Sequence, residues 1–308
     1  MTMKEERIKL YTQISGKPMN VIAFASTSGT NVQALFNHQK EYIIRAVFVD
    51  KLCGAKKRAE EKLKLPVIYD SAYKFVRQNY SDAVAKDEVQ AYLKKSNKWE
   101  EHCTRRIIKY AQDNNFTVDF LFLAGYMRIV NDTFLQWFPD KIANVHPARL
   151  DVLYEDGTRK YDGDNAVLKA IVAGEEATYS TVHLVTSTLD GGEILCTSEP
   201  CVVDMPSDIG EIVKVQSNII RKGINIDDLL MGLRVNHSTV YRDLVEFAGD
   251  HQDKQKEMCD WPTYTKAAQM IAEGRFEISL ERNEFNLRDV YLEGEKMPYC
   301  GFELGGEK

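Results

Sequence analysis

No stretch of this 308-residue chain is both apolar and long enough to span a bilayer. Its start, Met1-Thr2-Met3-Lys4-Glu5-Glu6-Arg7, lacks the apolar segment of a signal peptide. A basic excess is missing too. The formal net charge is −6, so the surface as a whole does not attract nucleic acid or an anionic membrane. The six cysteines (Cys53, Cys103, Cys196, Cys201, Cys259 and Cys300) include no Cys-x-x-Cys pair and no histidine at ligand spacing. Reduced thiols, no metal centre and a cytoplasmic location are the expectation. Neither a Walker loop nor Gly-x-Gly-x-x-Gly occurs, which leaves ATP and dinucleotides without support. There is no internal repeat and no low-complexity tract. What is present is ordinary for a soluble globular protein, with 44% hydrophobic and 28% charged residues.

Apolar runs alternate with helical patterns. Val21–Ala25, Tyr42–Asp50, Pro66–Tyr69, Phe120–Ala124, Lys141–Val145 and Thr181–Val185 read as strands, several of them apolar throughout. Such runs suit strands buried on both faces of a parallel sheet. Lys56–Lys64, Ala166–Val172 and Ser207 to about Arg221 read as helices, the last with Ser207 as N-cap and a carboxylate in its first turn. The alternation predicts an α/β fold: a mostly parallel twisted sheet flanked by helices, Rossmann-like in its N-terminal half. Residues 71–113 are polar, helical and longer than one crossover needs. Residues 222–270 change character, with two helical patterns joined at Val235-Asn236-His237-Ser238. Both stretches are expected to be helical insertions in a single domain, residues 1–308, whose core is 19–220 and 271–308. A β-rich return begins near Phe276-Glu277-Ile278-Ser279-Leu280.

Polar groups collect where these strands end, and in open α/β sheets ligands bind outside the carboxyl ends of strands. Asn144-Val145-His146-Pro147 ends one strand, and Leu189-Asp190-Gly191-Gly192 follows another. An amide can bind a carbonyl oxygen, an imidazole can move a proton near neutral pH, and a carboxylate can orient and charge the imidazole. That trio suits acyl transfer to an amine, although each piece alone is a common turn sequence. Ser26-Thr27-Ser28-Gly29-Thr30-Asn31, between a strand and a helix, is a candidate phosphate cradle. Gly29 permits close approach, and Thr30 and Asn31 add donors beside the unpaired N–H groups of the helix start. A plain helix cap is the competing reading. Arg128 stands just past a buried strand, available to an anionic or planar ligand or to a surface carboxylate. His183 lies within an apolar strand and reads as a buried or supporting histidine. His38, His102, His237 and His251 sit in polar stretches.

In order along the chain, Ser26–Asn31, Leu123-Ala124-Gly125-Tyr126-Met127-Arg128-Ile129, Asn144-Val145-His146-Pro147 and Ser180-Thr181-Val182-His183 with Leu189-Asp190-Gly191-Gly192 resemble glycinamide ribonucleotide formyltransferase, a folate-dependent enzyme of purine synthesis. The resemblance covers roughly residues 19–220 and resumes near Ala272-Glu273-Gly274-Arg275-Phe276. It implies a formyltransferase fold, 10-formyltetrahydrofolate as donor and glycinamide ribonucleotide as acceptor. By motif match it makes Asn144, His146 and Asp190 catalytic, with Gly29, Thr30 and Asn31 on the substrate phosphate and Gln216 on the ribose. Arg128, Ile129 and Val130 would line the folate pocket. Small-molecule substrates are the implied partners, with no membrane or nucleic acid, and with homo-oligomerisation left open.

The chain departs from that pattern in places. Ile219 stands where the family has an acidic ribose contact, and an apolar side chain accepts no hydrogen bonds from ribose hydroxyls. His146-Pro147 continues as Ala148-Arg149-Leu150-Asp151-Val152-Leu153, followed by an apparent insertion at Tyr154–Arg159. The phosphate loop has Thr27 where the family has glycine. Rival readings are a formyltransferase acting on another amine, such as an amino sugar nucleotide, and a formyltetrahydrofolate hydrolase. A more distant rival is a DNA-binding regulator, since residues 224–248 have a helix–turn–helix layout. There, Arg234 and Arg242 face a larger number of acids, Asp227, Asp228, Asp243 and Glu246, which is the wrong balance for a phosphate backbone.

Overall fold

The computed structural model describes residues 6–79 and 98–306. The centre of the expected 71–113 insertion therefore lies outside the described residues. Its flanks form the helices Ala72–Asn79 and Lys98–Asp113. In chain order the strands are β1 (Arg7–Lys9), β2 (Met19–Ala25), β3 (Tyr42–Val49), β4 (Val67–Tyr69), β5 (Phe120–Leu123) and β6 (Ile142–His146). They continue with β7 (Ala177–Thr178), β8 (Thr181–Leu184), β9 (Ile194–Thr197) and β10 (Cys201–Val202). The last four are β11 (Phe276–Arg282), β12 (Arg288–Leu292), β13 (Glu295–Lys296) and β14 (Phe302–Glu303). The α/β class, with a large, mostly parallel sheet flanked by helices, is as the alternation predicts. Among the described residues no helix is long and apolar enough to cross a membrane.

By contacts the chain forms two compact units. The first comprises Met1–Val145, His183–Glu193 and Tyr264–Met297. Its sheet runs β6-β5-β2-β3-β4, every neighbouring pair parallel. The apolar runs explain that arrangement, because β5 is buried along its whole length and β2 along nearly all of it. Over one face Phe24 packs 4.6 Å from Phe48, 5.3 Å from Tyr126 and 5.5 Å from Phe134, ring centre to ring centre. Trp99, Cys103 and Ile107 of the helix Lys98–Asp113 close this core. Each such large side chain contributes about 1.5–3 kcal/mol by leaving water. The Lys56–Lys64 pattern is helical from Gly54, but its second half, Arg58–Leu63, winds as a π-helix. A smaller antiparallel sheet, β1-β11-β12-β13, holds the C-terminal return. Arg288 of β12 reaches Glu193 at 2.8 Å and Asp140 at 2.6 Å. Tyr264 places its hydroxyl 3.2 Å from the Leu123 carbonyl and 3.0 Å from that of Ala143, so the tail is fastened to the ends of β5 and β6.

The second unit comprises His146–Val182, Ile194–Thr263 and Pro298–Lys308. Its strands pair as β9 with β14, parallel, and β7 with β10, antiparallel. The helix Ala166–Ala173 is almost wholly buried. The helices Ser207–Arg221, Ile226–Asn236 and Ser238–Gln255 lie against it. Ile209, Val213, Leu230, Leu233, Leu244 and Ala248 turn inward. The helices Ile226–Asn236 and Ser238–Gln255 each give one apolar face to this core, while Met231, Val235 and Val245 stay exposed. Lys169, also buried, pairs with Asp227 at 2.9 Å and donates to the Asp162 carbonyl at 2.9 Å. Asn225 caps its helix by accepting from the Asp227 amide at 2.8 Å. One boundary is corrected: the N-cap of the helix Ser207–Arg221 is Pro206, not Ser207. The Pro206 carbonyl already accepts the Gly210 amide at 2.8 Å while its own backbone is extended, so Ser207 is the first helical residue.

Candidate active site

In the first unit, β2 ends at Ala25 and the chain passes through Ser26–Gly29 into the helix Thr30–Asn37. Gly29 is the N-cap, with φ 75°. A Cβ there would come within 2.7 Å of the Ala55 Cα, so both conformation and space require glycine. The helix start carries no acidic side chain and no side-chain cap, leaving its positive end and first N–H groups open. The Thr30 hydroxyl lies 3.4 Å from that of Ser28. Asn31 Oδ1 is buried without a hydrogen-bond partner. Rotation of that amide would present donors to an anion instead. Arg58 braces the loop from outside, donating to the Ser28 carbonyl at 3.0 Å and to Gln33 at 2.7 Å.

The segment after β5 divides by exposure. Met127 and Ile129 are 62% and 47% exposed, whereas Tyr126 and Val130 are buried. Arg128 resolves its two options toward a carboxylate, but a buried one. Its Nε donates to Asp50 at 2.5 Å, and its guanidinium stands 5.2 Å from the ring centre of Trp99. At the far end of the segment the Asn131 amide donates to Glu100 Oε1 at 2.8 Å. Glu100 is buried, and desolvation pushes its carboxyl up to about 7 despite the backbone N–H groups of Asn131 and Phe134 that pull the other way.

Asn144 and Asp190 converge on His183. Asn144 Nδ2 lies 3.3 Å from His183 Nε2, and Asp190 Oδ1 lies 3.5 Å from the same nitrogen. His183 Nδ1 is 2.8 Å from the Leu184 carbonyl, which can only accept. The Nδ1–H form therefore leaves Nε2 able to accept from the Asn144 amide. His183 is 2% exposed, and the supporting role read from its apolar strand fits this bridge between two candidate residues. Asp190 sits at φ 44°, a left-handed conformation that aspartate tolerates better than most residues. Gly192 explains the rest of the turn, since a Cβ on it would lie 1.8 Å from the Leu184 carbonyl oxygen.

In the second unit His146 is 5% exposed and its Nε2 is 2.7 Å from the Tyr161 carbonyl. A carbonyl only accepts, so Nε2 is the protonated donor in this bond. His146 lies two residues from Asn144 on β6, and alternate residues of a strand share a face. The inserted Tyr154–Arg159 stretch is a hairpin tip, with the Tyr154 amide on the Thr158 carbonyl at 2.8 Å and the Lys160 amide on the Val152 carbonyl at 2.9 Å. Gln216 is buried on the helix Ser207–Arg221, and Ile219, one turn on, is half-buried. Asp50 and Glu100 escaped the sequence reading. Asp50 had a signal, because it directly follows an apolar strand. Glu100 had none, since it sits among charged helical residues. Among the described residues no cluster of histidine, cysteine or carboxylate suited to a metal ion occurs.

Residues 19–214 match the profile of a protein family described as formyl transferase. The chain is 26% identical over 210 residues to phosphoribosylglycinamide formyltransferase of Escherichia coli (strain K12), an alignment covering 66% of this chain and 83% of that protein. With the protein of the same name from Haemophilus influenzae it shares 37% identity over 103 residues, 33% of this chain but only 44% of its relative. The solved structure of phosphoribosylglycinamide formyltransferase from Coxiella burnetii superposes with a TM-score of 0.51 at 19% identity, covering 94% of this chain and all of that one, which speaks to the fold.

Proposed function

This chain belongs to the formyl transferase family, and on that premise we propose that it moves a formyl group from 10-formyltetrahydrofolate to the amine of glycinamide ribonucleotide. The observation that carries the reading is the convergence of Asn144 and Asp190 on His183. The folate supplies the formyl carbon and departs with a proton on its nitrogen. The acceptor amine bonds to that carbon, loses a proton, and leaves a neutral formamide. While the carbon is tetrahedral, negative charge rests on the formyl oxygen. Asn144 donates a hydrogen bond to it, and His146, on the same face of β6, donates a second from Nδ1 when both its ring nitrogens carry protons; the loss of one such donor costs on the order of 10²–10³ in rate. His183 holds the Asn144 amide so that its second N–H is aimed. Asp190 accepts the amine proton through water. At the other end of the acceptor, the open helix start at Gly29, Thr30 and Asn31 takes the phosphate. Arg128, Ile129 and Val130 line the donor's ring, the exposed Ile129 offering apolar contact and the segment's backbone offering polar edges.

The test is transfer by the purified chain from 10-formyltetrahydrofolate to glycinamide ribonucleotide, to an amino sugar nucleotide, or to water. Formylated glycinamide ribonucleotide as the dominant product supports the reading. Formate alone, or formylated amino sugar, replaces it, and Ile219 makes the second comparison necessary. His146→Ala and Asp190→Asn should each lower transfer at least about 10²-fold with the fold retained. Undiminished rates in both remove these residues from the mechanism.

A further inference from the structure

Among the described residues, Asp50 is the one carboxylate whose two oxygens both lead back to the segment Gly125–Val130. It directly follows β3 and is 3% exposed. Oδ1 accepts the Ser26 hydroxyl at 2.7 Å. Ser26 then receives the Met127 amide on its own oxygen at 3.2 Å, while its backbone amide donates to the Gly125 carbonyl at 2.9 Å. Oδ2 accepts Arg128 Nε at 2.5 Å. One arm therefore grips the segment's backbone and the other its only cation. Trp99 extends the second arm, with Arg128 over its ring and its indole N–H 3.3 Å from Asp70. Both arms are buried, where a charge-assisted hydrogen bond is stronger than in water. Arg128 Nη1, inside this array, is buried with no protein partner. A buried orphan donor is costly unless something accepts from it.

From this geometry we infer that Asp50 is a positioning residue for donor binding. It fixes the Met127–Val130 backbone at the spacing that receives the donor's ring, and it holds Arg128 inward so that Nη1 serves an acceptor entering beside that segment. The carboxylate is required rather than any polar group, because Ser26 and Arg128 are both donors and an amide at position 50 would set its NH₂ against one of them. The inference rests on the functional reading above and deepens it. Asp50 touches neither the reacting carbon nor the acceptor, so its contribution is uniform binding of the donor, visible in KM and not in kcat.

The experiment compares wild type, Asp50→Asn and Ser26→Ala in formyl transfer, with donor and acceptor varied separately, and in binding of tetrahydrofolate alone. Asp50→Asn should raise the donor KM about tenfold or more, the effect of one charge-assisted bond. Its kcat and acceptor KM should stay within about twofold, since uniform binding alone is lost. Ser26→Ala, which cuts only one arm and carries the test if Asp50→Asn does not fold, should give a smaller rise. It should also speed hydrogen exchange at the Met127 amide. A donor KM unchanged in both variants, or a fall confined to kcat, overturns the inference while wild-type transfer leaves the functional reading standing. A wild type that neither transfers formyl nor binds tetrahydrofolate overturns that reading and this inference with it.

Discussion

Glu100 makes the stability of this protein depend on pH near neutrality. Its carboxyl is ordinarily half-ionised at 4.5, and burial pushes it up to about 7 in the native state. Between those limits the native state binds the proton more tightly than the unfolded chain, so stability falls as pH rises through the window. Below about 4.5 the group is neutral in both states and imposes no penalty. Above about 7 it is charged in both and the penalty is complete. At about 1.4 kcal/mol for each pH unit the full penalty is about 3–3.5 kcal/mol, a large share of the margin of a typical domain. Glu100→Gln keeps an oxygen for the Asn131 amide but cannot ionise. Its buried NH₂ adds a constant cost of about 1–3 kcal/mol, because Oε2, which it replaces, has no partner. The diagnostic quantity is therefore the slope. In urea unfolding at pH 5 and pH 8, the variant's stability relative to wild type should improve by about 2–3 kcal/mol between the two. Every other titrating group is common to both proteins and cancels. Two stability profiles that run parallel from pH 5 to pH 8 would refute the argument.

Two other perturbations bear on the same unit. Gly29→Ala forces a Cβ to within 2.7 Å of the Ala55 backbone at φ 75°. The loop should shift, costing about 1–2 kcal/mol and raising the acceptor KM about tenfold while the donor KM holds, read by steady-state kinetics. Tyr264→Phe strips the hydroxyl from two strand carbonyls and should lower the unfolding free energy by about 1–2 kcal/mol in urea titrations. Transfer rates should not change, and a loss of activity without loss of stability would show that Tyr264 acts at the site.

Much of the sheet was legible because burial on both faces writes itself as unbroken apolar runs, as in Val21–Ala25 and Phe120–Leu123. Residues at strand ends were legible for a related reason, since polarity returns abruptly after such a run, and Asn144 and Asp190 were found that way. Pairings across the chain were not. Arg128 and Asp50 are 78 positions apart, and no local pattern says that their charges meet. The same holds for Glu100, whose burial is imposed by the 125–131 segment folding over it and not by its own helix. At Pro206 the difficulty was local: an extended proline followed by serine offers two plausible caps, and only the backbone bond from Gly210 decides between them.

The first unit is assembled from three separated stretches of chain, and its last stretch begins at Tyr264. Tyr264 reaches carbonyls 141 and 121 positions earlier. During synthesis, β5 and β6 therefore emerge long before the residues that fasten their ends. At about 5–20 residues per second the ribosome leaves those strands waiting for several seconds at least. Closing so long a loop is slow and leaves apolar strands open to wrong partners meanwhile. A nascent chain released before residue 264 should lean on chaperones, while the finished chain should not. The order in which this unit can close is set by Tyr264.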